Sequence, residues 1–244
     1  MHRFYAGFNT GPETEVVLSE EDARHAFTVL RMKPGQHAEI IRDGQRWEAE
    51  ITVSAPHNVR LRLQSLLPST EPSLSVTLYQ GLPKADKMDF IVQKAAELGV
   101  KRIVPVMMSR CVSKPDAKDF DRKLIRWNKI AREAGKQSGR CEIPVVDGPC
   151  TLTALPVDAL IPETNIVPWE EAALFGPLAL HTAYPALSSL GILIGPEGGI
   201  DRKEIQFLQS VGFIPFTLGK RILRTETAGL AAVASIMGLY GEME

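Results

Sequence analysis

Two glycine-bearing segments near the end of the chain contain residues whose types and spacing could do chemistry. Residues 191–200 read GILIGPEGGI, and residues 218–228 read LGKRILRTETA. Each combines an apolar run, a turn and the start of a helix, and in open α/β sheets such turns form the rim of the ligand crevice. Both segments contain Glu and the second also contains Arg, so together they indicate a pocket lined by charged groups.

In the first segment, Pro196 fixes one φ angle, and the glycines beside it admit positive φ and close ligand approach. Asp201 and Glu204 predict a capping box at the helix that follows, whose free N–H groups could bind a ligand. Neither GxGxxG nor GxxxxGK[ST] is present, which argues against a nicotinamide-dependent enzyme and a P-loop. A tight structural turn explains this segment equally well.

The second segment leads into a mostly apolar closing helix, predicted over residues 226–239 with Thr225 as its N-cap. Such a helix is buried or packs in an interface. Arg224 and Glu226 then lie at its edge, where an unpaired charge is costly. They either form a structural ion pair, or Arg224 gives a pocket a fixed positive charge.

The elements that must position these residues fall into two parts. Residues 1–70 contain short alternating strands and an Asp43-Gly44 hairpin signal, which predict a small β-barrel-like domain. From residue 74 to residue 244 strands alternate with helices, which predicts an α/β domain with a mostly parallel sheet. A Pro- and Ser-containing linker over residues 67–73 joins them.

Composition excludes several classes of protein. The 244 residues are 44% hydrophobic with a net charge of −1, and we expect neither a signal peptide nor a membrane span. Three cysteines without CxxC spacing and five scattered histidines indicate a reducing cytoplasm, no disulfide framework and no metal. Residues 110–140 hold ten Lys or Arg against four Asp or Glu. This stretch is either a phosphate-binding surface or a solvated helix face.

The two segments, in this order, resemble the SPOUT class of S-adenosylmethionine-dependent RNA methyltransferases. More narrowly, the chain resembles the family that methylates N3 of a uridine in 16S ribosomal RNA. Further matches run through Arg3-Phe4, His25, residues 29–31, Lys84, residues 86–88, residues 93–100, Ser109-Arg110, Trp127 and Arg140. Met108 departs from the usual Glu, and residues 150–190 carry little recognisable motif.

This resemblance implies a trefoil-knotted, mostly parallel sheet preceded by a PUA-like RNA-binding domain. It also implies a homodimer that acts on 16S ribosomal RNA of the small subunit and binds S-adenosylmethionine through three loops. One loop lies near Pro168, and the residues implied in the other two are Ile194, Gly195, Pro196, Glu197, Gly198, Gly199, Leu218, Gly219, Ile222, Leu223 and Arg224. The implied RNA-binding residues are Arg3, Arg24, His25, Arg31, Lys84, Lys94, Arg110, Lys136 and Arg140.

Methylation at N3 requires an extruded uracil to lose a proton, and a guanidinium would stabilise the resulting charge. We assign that role to Arg224, with Glu197 or Glu226 as candidate proton acceptor. Two alternatives stay open. One is a SPOUT methyltransferase with another RNA substrate, such as transfer RNA, and the other is a non-catalytic RNA-binding assembly factor.

Overall fold

The computed structural model describes residues 1–6, 14–112, 115–155 and 164–243. Two compact units are present: unit 1 is Met1–Glu71 with Gly139–Glu142, and unit 2 is Pro72–Ser138 with Ile143–Glu244. Lys114, one of the cations of the basic stretch, lies outside the described residues. None of the helices in the described ranges combines the length and apolarity needed to traverse a bilayer.

Unit 1 is built on a five-stranded sheet with strand order β1-β3-β4-β5-β2. Its elements are β1 (Arg3–Tyr5), β2 (Glu15–Val17), α1 (Glu20–Arg24), a π-helix (His25–Val29), β3 (His37–Arg42), β4 (Gln45–Ala55) and β5 (Asn58–Leu67). The predicted Asp43-Gly44 turn joins β3 to β4 with positive φ at both residues. Alternation of buried and exposed positions along β5 places Val59 and Leu61 in the core.

Unit 2 contains a seven-stranded sheet in which every pair of neighbouring strands is parallel. Its strands are β6 (Ser75–Gly81), β7 (Arg102–Met107), β8 (Val145–Val146), β9 (Cys150–Thr151), β10 (Thr164–Pro168), β11 (Ser189–Ile194) and β12 (Phe213–Phe216). Its α-helices are α2 (Lys87–Glu97), α3 (Ala117–Ser138), α4 (Pro177–Ala183), α5 (Arg202–Ser210) and α6 (Thr225–Leu239). The predicted alternation of strands and helices is confirmed.

The strand order β12-β10-β11-β6-β7 determines where the loops meet. Because the strands are parallel, their carboxyl ends lie at one edge of the sheet, and the loops that follow them are neighbours. From β11 the chain passes through α5 to β12 at the end of the sheet, and then returns as α6, which contacts β11 and β6. Both glycine-bearing segments are thereby placed at the same edge.

The helix ends confirm one capping prediction and correct another. Asp201 and Glu204 form the predicted capping box at the start of α5. Thr225, however, is not the N-cap of the closing helix: Arg224 occupies that position, with φ −66° and ψ 153° and no capping side-chain hydrogen bond. The prediction failed because the Thr225 hydroxyl donates to the Gly195 carbonyl, 2.6 Å away, instead of serving its own helix.

Candidate active site

A cavity of about 480 Å³ opens at the carboxyl ends of β10 and β11, entirely within unit 2. The loop after β11, the segment before α6 and the start of α2 form its walls. Its lining residues are Lys87, Pro168, Glu170, Ile194, Gly195, Pro196, Glu197, Gly198, Gly199, Ile200, Ile222, Leu223, Arg224, Thr225 and Ala228. Of the three predicted catalytic residues, Arg224 and Glu197 line the cavity. Glu226 does not, but it forms an ion pair with Lys87, which does.

The loop after β11 is a tight turn held against the end of β6. Gly199 donates its N–H to the Pro196 carbonyl at 2.9 Å and has φ +73°, a conformation that favours glycine. On the other side, a Cβ added to Gly81 would lie 2.7 Å from the backbone nitrogen of Pro196. Glycine at position 81 therefore allows the two backbones to approach closely, which determines the position of the cavity wall.

Lys87 connects the two glycine-bearing segments electrostatically. Its Nζ lies 3.1 Å from Glu197 Oε1 and 3.0 Å from Glu226 Oε2. Hydrogen bonds to Glu226 and then to Glu197 raise the pKa of Lys87 above its ordinary value. The ammonium group is therefore charged at neutral pH and links the start of α2 to the Gly195–Gly199 loop and to the first turn of α6.

Both carboxylates of this cluster are held in the ionised form. Partial burial raises the pKa of Glu197, but backbone N–H donors, including that of Lys84 at 3.0 Å, and the Lys87 ammonium outweigh it, so the pKa is lowered. The pKa of Glu226 is lowered chiefly by its own backbone N–H, against a smaller effect of burial, and further by Lys87. A carboxylate with a lowered pKa is a weak proton acceptor.

Arg224 lines the cavity, and its side chain is exposed. Among the described residues no hydrogen bond or ion pair is formed by its guanidinium, so the Arg224–Glu226 structural pair considered from the sequence does not form. Glu226 pairs with Lys87 instead. Arg224 is thus an exposed cation at the mouth of a pocket, and its charge further lowers the pKa of Glu226. Its backbone is held by its carbonyl, which accepts from the N–H groups of Thr227 and Ala228 in the first turn of α6.

A second cavity of about 570 Å³ adjoins the first and shares Pro168, Glu170, Ile222, Leu223 and Ala228 with its lining. The predicted cofactor-binding residues Leu218 and Gly219 line this cavity and not the first one, whereas Ile222 and Leu223 line both. Pro168 and Trp169 also contribute, which places the loop after β10 beside the other two as the resemblance implies. Ile222 is 89% exposed and can therefore contact a ligand from either cavity.

The predicted RNA-binding residues fall into two groups. Among the described residues, the side chains of Arg24, His25, Arg31 and Lys84 are exposed and form no ion pair. Others are engaged: Arg3 with Glu39, Lys94 with Glu97, Arg110 with Asp201 and with the Gly198 carbonyl, and Arg140 with Glu71. Lys136 is half-buried on α3.

Sequence reasoning missed Lys87 as a member of the cluster, and it missed the buried Gln80 behind the cavity. Lys87 stood in a matched motif, but nothing in the spacing predicted two partners more than a hundred positions away. Gln80 did carry a signal, because an amide that follows the apolar positions of a predicted strand indicates a buried hydrogen-bond partner if that strand lies in the core.

The fold and the cavity define an α/β enzyme of the SPOUT class with an N-terminal PUA-like domain, as predicted. The chain belongs to the RNA methyltransferase family: its RNA methyltransferase domain model matches residues 70–237, and an RNA methyltransferase PUA domain model matches residues 18–64. The predicted family is confirmed.

Two relatives and one solved structure show how far the similarity extends. The ribosomal RNA small subunit methyltransferase E of Bacillus subtilis is 35% identical over 227 residues, 90% of this chain and 88% of the relative. The enzyme of that name from Aquifex aeolicus is 31% identical over 97% of this chain and 99% of its own. A ribosomal RNA small subunit methyltransferase E from Neisseria gonorrhoeae, solved with S-adenosyl methionine, has a TM-score of 0.81 at 33% identity, covering 98% of both chains.

Proposed function

We propose that this chain transfers the methyl group of S-adenosylmethionine to N3 of a uridine in 16S ribosomal RNA of the small subunit. The observation that carries the proposal is the cavity built by both glycine-bearing segments, in a fold shared with a relative that was solved with this cofactor. The names of the relatives support small-subunit RNA as the substrate. The uridine N3 position rests on the family resemblance.

The residues present fit such a cofactor. The cavity volume lies in the range of small-molecule sites, and backbone groups of Ile194 to Gly199 alternate with apolar walls from Ile222, Leu223 and Ala228. Leu218 and Gly219 would extend the site into the second cavity. When bound, the cofactor supplies an activated methyl group, so the protein mainly supplies orientation.

Arg224 is the group that we propose to face the uracil. Loss of the N3 proton spreads negative charge onto the flanking carbonyl oxygens, and a guanidinium without a carboxylate partner can stabilise that charge. For Glu197 and Glu226 we propose a positioning role in place of the predicted proton acceptor. Their lowered pKa values and their shared ion pair with Lys87 favour fixed anions that hold the cavity walls.

Each unit would contribute RNA contacts of its own. We propose unit 1 as the PUA-like RNA-binding domain, with Arg24, His25 and Arg31 on and beside the exposed π-helix, and unit 2 as the methyltransferase domain. In unit 2 the solvent face of α3 carries Lys118, Arg122, Lys129 and Arg132 at helical spacing. RNA affinity that falls steeply with salt would support these surfaces, because phosphate contacts release counterions.

Two further properties belong to this proposal. A homodimer that packs through α6 is supported by the apolar side chains of this helix, because some of them, such as Leu230 and Leu239, stay partly exposed within the described chain. Action in the cytoplasm is supported by the three cysteines, which are all free of disulfides.

The test compares modified nucleosides in small-subunit RNA from cells with and without this chain, by mass spectrometry. We expect 3-methyluridine to disappear from 16S RNA and to return when the chain is supplied again. Transfer RNA from the same cells is the control. Loss of a methylated nucleoside from transfer RNA, with 16S RNA unchanged, would contradict the proposed substrate.

A further inference from the structure

A buried chain of hydrogen bonds runs behind the cavity and connects β6 to both of its glycine-bearing walls. Gln80 Nε2 donates to Thr225 Oγ1 at 2.9 Å and to the Gly81 carbonyl at 2.9 Å. The Thr225 hydroxyl in turn donates to the Gly195 carbonyl at 2.6 Å. Three segments that are distant in the sequence are thus joined at the point where the Gly195–Gly199 loop begins.

The position of Gln80 is costly for the fold. The residue is 0% exposed, in a strand whose other side chains near it are mostly apolar. Among the described residues no donor reaches its Oε1 atom, and a buried acceptor without a partner destabilises a protein. An apolar side chain of similar size would remove this unpaired acceptor, but it would also leave the Gly81 carbonyl and the Thr225 hydroxyl without the Gln80 donor. What the glutamine contributes is therefore its two donated hydrogen bonds.

We infer that Gln80 and Thr225 are positioning residues, which fix the Gly195 carbonyl and through it the loop that binds the cofactor. Thr225 can serve both partners because a hydroxyl accepts one hydrogen bond while it donates another. Its hydrogen bond orients the peptide plane between Gly195 and Pro196, where the loop enters its turn. The inference rests on the proposed function for the identity of the ligand, but the order of the loop can be measured without any ligand.

The experiment compares Thr225→Val with Thr225→Ser in the full-length protein. Valine keeps the shape and removes the hydroxyl, whereas serine keeps the hydroxyl. By calorimetry with S-adenosylmethionine we expect Thr225→Val to bind about tenfold more weakly, as the loss of one buried hydrogen bond implies, and Thr225→Ser to bind within about twofold of wild type. In the ligand-free protein, amide hydrogen exchange of residues 195–200 should be faster in Thr225→Val only.

Gln80→Met separates positioning from mere stability. We expect exchange of residues 195–200 to speed up and cofactor affinity to fall, while amides of β10 and β12 exchange at the wild-type rate. A purely structural role would instead lower the thermal midpoint and speed exchange across the whole sheet, with no excess at the loop. If wild type does not bind S-adenosylmethionine, the proposed function fails, and loop exchange still decides the inference. Exchange rates in Thr225→Val and Gln80→Met that match wild type would overturn it.

Discussion

The Nζ atom of Lys87 lies 3.0 Å from the Oε2 atom of Glu226, so the first residue of α2 is joined to the first turn of α6. The same ammonium group also reaches Glu197. One cation thus holds two carboxylates that would otherwise repel each other across the cavity wall.

Substitution Lys87→Met should therefore weaken the cofactor site more than the fold. We expect a loss of S-adenosylmethionine affinity of about tenfold, because the two walls lose their common partner. The free energy of unfolding should change little, as for other partly exposed ion pairs. Calorimetry and urea unfolding measure the two effects. Lys94→Met, which removes a lysine bonded to Glu97 on the same helix, is the matched control and should affect neither.

Substitution Arg224→Ala should separate binding from chemistry. We expect methyl transfer to fall by roughly 10²–10³-fold, the usual effect of losing one charge-stabilising donor, with cofactor affinity retained. Single-turnover transfer to small-subunit RNA measures the first quantity and calorimetry the second. Arg202→Ala removes an exposed arginine that pairs with Glu171, and it should leave both unchanged. Near-wild-type turnover in Arg224→Ala would contradict the assignment.

Substitution Gly81→Ala should displace the loop after β11. The new Cβ would meet the Pro196 nitrogen at 2.7 Å and the Ile194 carbonyl oxygen at 2.9 Å, and relief of such a contact requires the backbone to move. We expect a cost of about 1–3 kcal/mol in the free energy of unfolding and weaker cofactor binding. Gly148→Ala is the control, since an added Cβ there meets no atom within 4 Å. Equal stability of the two variants would show that the close approach is absent.

The ion cluster predicts how stability depends on pH. The pKa values of Glu197 and Glu226 are lowered in the folded protein from the ordinary 4.5, so the unfolded state binds more protons in acid. Their contribution is present above that ordinary pKa and is lost as the pH falls through the folded values. The double variant Glu197→Gln/Glu226→Gln lacks this contribution. Relative to its own value at pH 7, its thermal midpoint should therefore fall less in acid than the midpoint of wild type does. A steeper fall in the variant would contradict the lowered pKa values.

Much of the fold could be predicted because it follows from local patterns. The capping box of Asp201 and Glu204 and the turn at Asp43-Gly44 each depend on a few adjacent residues. The two glycine-bearing segments could be placed together because parallel strands present their carboxyl ends at one edge. These features need no knowledge of distant partners.

The errors concern side chains whose partners are remote in sequence. The sequence predicts Thr225 as the N-cap of its own helix, but its hydroxyl donates to the carbonyl of Gly195, 30 positions earlier. Glu226 was considered as a partner of Arg224, two residues away, but its partner is Lys87, 139 positions earlier. A hydroxyl can donate to any nearby acceptor and a carboxylate can accept from any nearby donor, and only the three-dimensional arrangement decides which partner is near.

The short segment Gly139–Glu142 belongs to unit 1 although it follows the long helix α3 of unit 2. Within unit 1 Arg140 is buried, and its guanidinium bonds to Glu71 at 2.6 Å. The division between the units therefore cannot be reproduced by a single cut in the gene. A fragment ending at Glu71 would leave that carboxylate without its arginine, and a domain exchange between relatives would have to transplant two separate stretches of coding sequence.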